Sequence, residues 1–153
     1  MNADIVLRSP SGKVIAVVEA KGSMKLTPTL AMQLRRRMLA HGLPATVPYF
    51  LLLTQERGFL WKGTATSHPD ALPDAEFPMS KVVERYLPAG PGARLHGTQL
   101  ELLLVQWLTE LALKAAPSRS GTETKLKKLG FLDAIRGAQV MHEVALDPFG
   151  APA

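Results

Sequence analysis

Cysteine is absent from all 153 residues. That excludes disulfides and thiolate metal ligands, and makes a reducing cytoplasm the expected compartment. Aromatic residues are scarce, at 6%. The two tryptophans, Trp61 and Trp107, both stand in apolar stretches, which assigns them to core packing rather than to base stacking. No apolar run approaches the roughly 20 residues that a bilayer span needs. The start, MNADIVLRSP, also lacks the basic-then-apolar layout of a signal peptide. A membrane partner is therefore not expected. The four histidines, His41, His68, His96 and His142, show no paired metal-ligand spacing and read as structural or surface residues. The serines near 118–120 lack a nucleophile motif. PSG and PAGPG read as turns, because no strand, glycine-rich loop and helix with a following lysine surrounds them.

What is present describes one globular domain spanning 1–153, with 46% hydrophobic and 20% charged residues. The net charge of +5 permits a polyanionic partner without requiring one. Two strand-like runs, 4–8 and 13–21, flank the turn SPSG and predict a β-hairpin. Thr27 can cap a helix with Pro28 in its first turn, ending near His41 before Gly42 and Pro44. PYFLLLT, 48–54, reads as a strand covered on both faces, and QERG turns it into a further strand, FLWK, 59–62. Residues 63–78 read as loop, and a short helix follows with Met79, Val82, Val83, Tyr86 and Leu87 at helical spacing.

After the breaker-rich stretch 88–97, Thr98 and Glu101 form a candidate capping box for a long helix over about 99–116. Its apolar stripe is Leu100, Leu103, Leu104, Trp107, Leu108 and Leu111. Residues 117–124 read as a linker, followed by a basic turn with Lys125, Lys127 and Lys128, and QVMHEVAL reads as a last strand. The core hairpin, helix and strands thus occupy 3–62, with a C-terminal helix-and-strand extension over 79–148. The order of strands and helices predicts a mixed α/β domain.

The second run, KVIAVVEAK, ends in two charges. Alternation places Val17, Glu19 and Lys21 on one strand face. A two-residue hairpin loop sets Asp4 directly opposite Glu19, and a four-residue loop sets it opposite Val17. Both even lengths put Asp4 on the face of Glu19 and Lys21, whereas an odd loop or a bulge breaks that parity. One reading is an ion pair at a strand end. The other is chemical: two carboxylates with a backbone carbonyl and water suit Mg²⁺, and a neighbouring lysine can stabilise charge developing on a phosphate. Arg35, Arg36 and Arg37 offer phosphate contacts, but three consecutive helical residues fan over about 200°, so one or two at most can reach a single ligand.

Asp4 followed across a hairpin by Glu19-Ala20-Lys21 resembles the PD-(D/E)XK, or restriction-endonuclease-like, nuclease superfamily. ADIVLRSPSGKVIAVVEAKG is similar to the core hairpin in the nuclease domain of type I restriction-enzyme motor subunits, and to small bacterial proteins of the same superfamily. The resemblance covers about residues 3–62. It implies a restriction-endonuclease-like mixed sheet flanked by helices, and hydrolysis of DNA phosphodiester bonds. Asp4 and Glu19 would hold Mg²⁺ or Mn²⁺, Lys21 would assist catalysis, Gln33 on the following helix would stand near the site, and Arg36 and Arg37 would contact nucleic acid. Ala3 stands where the superfamily has proline. Asp4 comes too early in the sequence for the usual leading helix and strand, so segments near 99–116 and 139–146 are expected in their place. Glu101, Glu110 or Glu143 would then be the source of an additional acid. The competing expectations are a catalytically inactive nuclease-like module that binds nucleic acid or a protein partner, and a homo-oligomer assembled through the helix 99–116.

Overall fold

The computed structural model describes residues 2–22, 25–87, 94–113 and 121–145. Its centre is an open six-stranded mixed sheet. The strands are β1 (Asn2–Arg8), β2 (Val14–Lys21), β3 (Tyr49–Thr54), β4 (Arg57–Lys62), β5 (Ala75–Pro78) and β6 (Gln139–Ala145), in the spatial order β5-β4-β3-β2-β1-β6. Only β2 and β3 run parallel; the other neighbours are antiparallel. A parallel pair needs a crossover, and helix α1 (Pro28–Ala40) supplies it. Thr27 caps α1 by accepting the Leu30 N–H at 3.2 Å, and Pro28 sits where its missing N–H is harmless.

Each sheet face has its own core. On one face α1 contributes Ala31, with Leu34, Met38 and Leu39, over Val6, Val17, Phe50, Leu52, Phe59 and Trp61. The other face carries α2 (Ser80–Glu84), α3 (Gly97–Leu113), α4 (Gly121–Lys128) and α5 (Phe131–Ala134), packed over Ile5, Ala16, Val18, Leu51, Leu53 and Leu60. The stripe expected on the long helix is buried in full, from Leu100 to Leu111 with Trp107 at its centre.

Three local expectations change. The 63–78 stretch holds a 3₁₀ turn (Gly63–Ser67) and the edge strand β5, whose Pro78 is tolerated at an edge. Residues 121–124, read as linker, begin α4, where Glu123 meets Arg85 at 2.7 Å and the Thr122 hydroxyl donates to the Pro78 carbonyl. Residues 114–120 lie outside the described part. At the start of α3, Gln99 rather than Glu101 reaches back, accepting the His96 N–H at 2.9 Å. Glu101 is bonded elsewhere. No described helix is long and apolar enough to cross a membrane.

Within the sheet, Gly58 on β4 sits where a Cβ would run into the Phe77 ring and the Leu53 side chain. Gly58→Ala is expected to lower stability by about 1–3 kcal/mol, the range for overpacking a filled core, as read by chemical denaturation.

Candidate functional site

The hairpin that carries the charges closes through neither even loop. Ser9 N–H donates to the Lys13 carbonyl and Gly12 N–H to the Ser9 carbonyl, which leaves the odd-length loop 10–12. An irregularity between Leu7 and Arg8 then shifts the register, so that Leu7, Val6 and Ile5 pair with Ala16, Val17 and Val18. Odd loop and irregularity cancel, and Asp4 falls opposite Glu19 on the face covered by α1.

At that point the two side chains replace the main-chain ladder. The Asp4 N–H donates to Glu19 Oε1 at 3.1 Å, and the Ala20 N–H donates to Asp4 Oδ2 at 2.8 Å. Glu19 is only 4% exposed, while Asp4 and Lys21 are half-buried. Burial, the hydrogen bond to the Asp4 side chain and the Asp4 charge push the Glu19 carboxyl up to about 9, against a smaller downward pull from Lys21. In the metal-free chain Glu19 therefore holds a proton at neutral pH, in the place where a cation would neutralise it. Two carboxylates from adjacent strands, one of them buried, form an oxygen donor set that fits a hard divalent ion such as Mg²⁺ or Mn²⁺.

Lys21 ends β2 and forms no ion pair among the described residues. It lines a hollow of about 220 Å³ with Leu34, Arg37, Met38 and His41 of α1 and its end. His41 donates Nδ1–H to the Arg37 carbonyl at 2.7 Å. The hollow has an apolar floor and a basic rim.

The three arginines separate as their helical angles require. Arg35 is 1% exposed: it donates to the carbonyls of His68, Ala65 and Thr66, and its guanidinium carbon lies 5.8 Å from the Phe50 ring and 5.3 Å from the Trp61 ring. Burial pulls it down to about 10. It is a structural cation, tying α1 to the 3₁₀ turn. Arg35→Ala is expected to cost about 2–4 kcal/mol, because three carbonyls lose a charged donor at once; a thermal melt checks this. Arg36 is exposed and paired with Asp70 at 2.9 Å. Arg37 alone of the three faces the hollow beside Lys21. Gln33 is half-buried on α1 and makes no hydrogen bond to Asp4, Glu19 or Lys21, nor does it line the hollow.

The segments around the pair come from the end of the chain. β6 pairs antiparallel with β1, and α3 lies across β6, β2 and β1. The first residue of α3, Gly97, abuts Gly22: a Cβ there would come within 3.2 Å of the Gly97 nitrogen. Ala3 pairs with Val144 and Ile5 with His142, which sets Glu143 beside Asp4 in register. Three acids, Glu143, Asp4 and Glu19, thus occupy neighbouring positions on three adjacent strands.

Side-chain alternation reverses at this row. Ala3 and Val144 pack under α1, whereas Ile5 packs on the α3 face. Glu143 has a left-handed backbone, φ 53°, which brings its carboxylate to 3.9 Å from His142 Nε2. The other two candidate acids are also engaged: Glu101 accepts from His142 at 3.1 Å and Glu110 from the Tyr86 hydroxyl at 2.6 Å. His142 is the residue that sequence reasoning passed over. Its partner lies forty-one positions away, so no spacing signal could have found it.

No protein-family model, curated protein or solved structure matches the chain. The likeness of the hairpin to restriction-endonuclease-like nucleases therefore rests on Asp4, Glu19-Ala20-Lys21 and their placement.

Proposed function

We propose that this chain is a metal-dependent nuclease of the PD-(D/E)XK type that hydrolyses DNA phosphodiester bonds. The observation that carries the reading is the paired carboxylates of Asp4 and Glu19, on adjacent strands, with Lys21 two residues further on β2. The hairpin is followed by a crossover helix and a strand parallel to β2, which is compatible with the mixed sheet that the resemblance implies. In this reading β6 and α3 take the places of the leading strand and helix.

Asp4 and Glu19 would hold Mg²⁺ or Mn²⁺. The ion, when bound, supplies charge neutralisation and polarisation of a phosphoryl oxygen. Asp4 is held in position by the Ala20 N–H, and Glu19 by the Asp4 N–H. The Lys21 ammonium, without an ion-pair partner among the described residues and bordering the basic hollow, stabilises the charge that develops on the phosphate. Leu34 and Met38 line the same hollow and give it an apolar patch beside that contact. Gln33, on the helix that follows the hairpin, would orient the site.

A supercoiled-plasmid nicking assay with Mg²⁺ or Mn²⁺ tests the reading. Wild type should nick and Glu19→Ala should not; activity that persists in Glu19→Ala sinks the site. One observation favours the non-catalytic alternative: Glu101 and Glu143 are engaged with His142, and Glu110 with Tyr86, rather than with the Asp4–Glu19 pair. DNA binding without nicking in either metal would establish that alternative.

Binding is expected to depend on Arg37 more than on Arg36. Arg36 already has Asp70 as counterion, while Arg37 borders the hollow. Arg37→Ala should weaken binding to any duplex sequence and reduce the salt-dependence slope by about 1, with Arg36→Ala closer to wild type. Fluorescence anisotropy over a salt series measures both.

A further inference from the structure

We infer that Glu101, His142 and Glu143 form a binding site for a divalent transition-metal ion, with Zn²⁺ as the probe, distinct from the Asp4–Glu19 pair. One ligand atom from each of the three lies within 4.8 Å of the other two. Zinc held at about 2.0–2.2 Å by nitrogen and oxygen ligands in a tetrahedron puts those ligands about 3.4 Å apart. The separations of 3.1 Å from His142 Nε2 to Glu101 Oε1 and 3.9 Å from it to Glu143 Oε1 bracket that value. With the third pair, Glu101 and Glu143, also within 4.8 Å, side-chain rotation alone can close the three onto one ion.

Adjacent strand residues normally point to opposite faces. The left-handed backbone of Glu143 lets its carboxylate join its neighbour His142. The third member arrives from α3, which packs on the same sheet face as Ile5, the β1 partner of His142. Asp4 and Glu19 are not members of this group, and Glu19 shares a face with Val17, which packs under α1, on the opposite side from Ile5.

Their chemistry differs as well. Asp4 and Glu19 offer oxygen alone, whereas an imidazole between two carboxylates selects Zn²⁺, Mn²⁺ or Fe²⁺ over Mg²⁺ and Ca²⁺. Two carboxylates and a neutral imidazole give the site two negative charges for a dication. Glu101 is 14% exposed and Glu143 70% exposed, so one side is fixed by packing and the other is open to entry and to water. A bound ion would fasten the edge strand β6 to α3. The site does not depend on the nuclease reading.

Zinc calorimetry on the full chain, with zinc-edge X-ray absorption at one equivalent, tests it. Wild type should bind with one imidazole nitrogen in the coordination shell and melt at a higher temperature with zinc than without. His142→Ala should weaken this binding by about 100-fold or more, since even an outer partner of a metal ligand is worth roughly 10–100-fold. Glu143→Gln alters an exposed side chain, so it tests the site without threatening the fold, and it too should weaken zinc. Glu19→Gln should leave the imidazole-containing site in place. Zinc binding that survives both His142→Ala and Glu143→Gln overturns the proposal, as does wild type without zinc binding. Loss of the same zinc ion in Glu19→Gln overturns it too, since that would make one shared centre.

Discussion

Lys21→Ala is expected to reduce Mg²⁺-dependent plasmid nicking by about 10²–10³-fold, the effect of removing one preorganised charge-stabilising donor. The fold should survive, because Lys21 has no ion-pair partner among the described residues to leave stranded and its side chain is only half-buried. Metal affinity should change little, since Lys21 is not a ligand and exerts only the smallest of the influences on Glu19. The combination is diagnostic: normal melting, near-normal metal binding by calorimetry, and a rate that collapses at saturating Mg²⁺. A Lys21→Ala variant that nicks at the wild-type rate would remove the lysine from the mechanism. Equal losses of rate and metal binding would move it into the metal site instead.

Metal-free protein should lose stability as pH rises from 5 to 8, and Glu19 is the reason. In the unfolded chain its carboxyl titrates near 4.5; in the folded chain it is pushed up to about 9. Between those values the folded chain holds a proton that the unfolded chain has released. Stability therefore falls with rising pH across the window, by an amount on the order of a few kcal/mol. Below about 4.5 both states are protonated and the difference vanishes. Glu19→Gln, neutral throughout, should flatten this slope and exceed wild type in stability at pH 8 in chelator. Mg²⁺ should raise the wild-type melting temperature at pH 8 and leave Glu19→Gln unmoved, because a bound ion takes the place of the proton. Denaturant melts of both proteins at pH 5 and pH 8 decide it. Parallel pH profiles for the two would show that Glu19 is not the buried acid described.

Part of this could be read directly from residue order. The 2.0-residue period of KVIAVVEAK put Glu19 and Lys21 on one face, and the helical period of 99–111 marked the stripe that α3 buries. The signals that failed were those with no local period. AEFP carries too few residues to register as a strand, yet β4 recruits it at the sheet edge. GTETKLKK is polar and reads as the end of a linker followed by a basic turn, but the ion pair of Glu123 with Arg85 and the packing of Leu126 hold it as α4. Of three identical arginines, only the position of the 63–68 carbonyls decides that Arg35 is the buried one.

The chemistry of the pair was legible while its surroundings were not. Residue types and alternation determined that two carboxylates and a lysine could converge, because strand geometry acts over a few bonds. Tertiary structure decided the rest: that an odd loop and a register shift cancel to set Asp4 opposite Glu19, that β6 lies beside β1, and that Glu143 turns toward His142. Those outcomes depend on which distant segments pack together. Packing is set by the shape and burial of whole faces, and no short stretch of sequence encodes it.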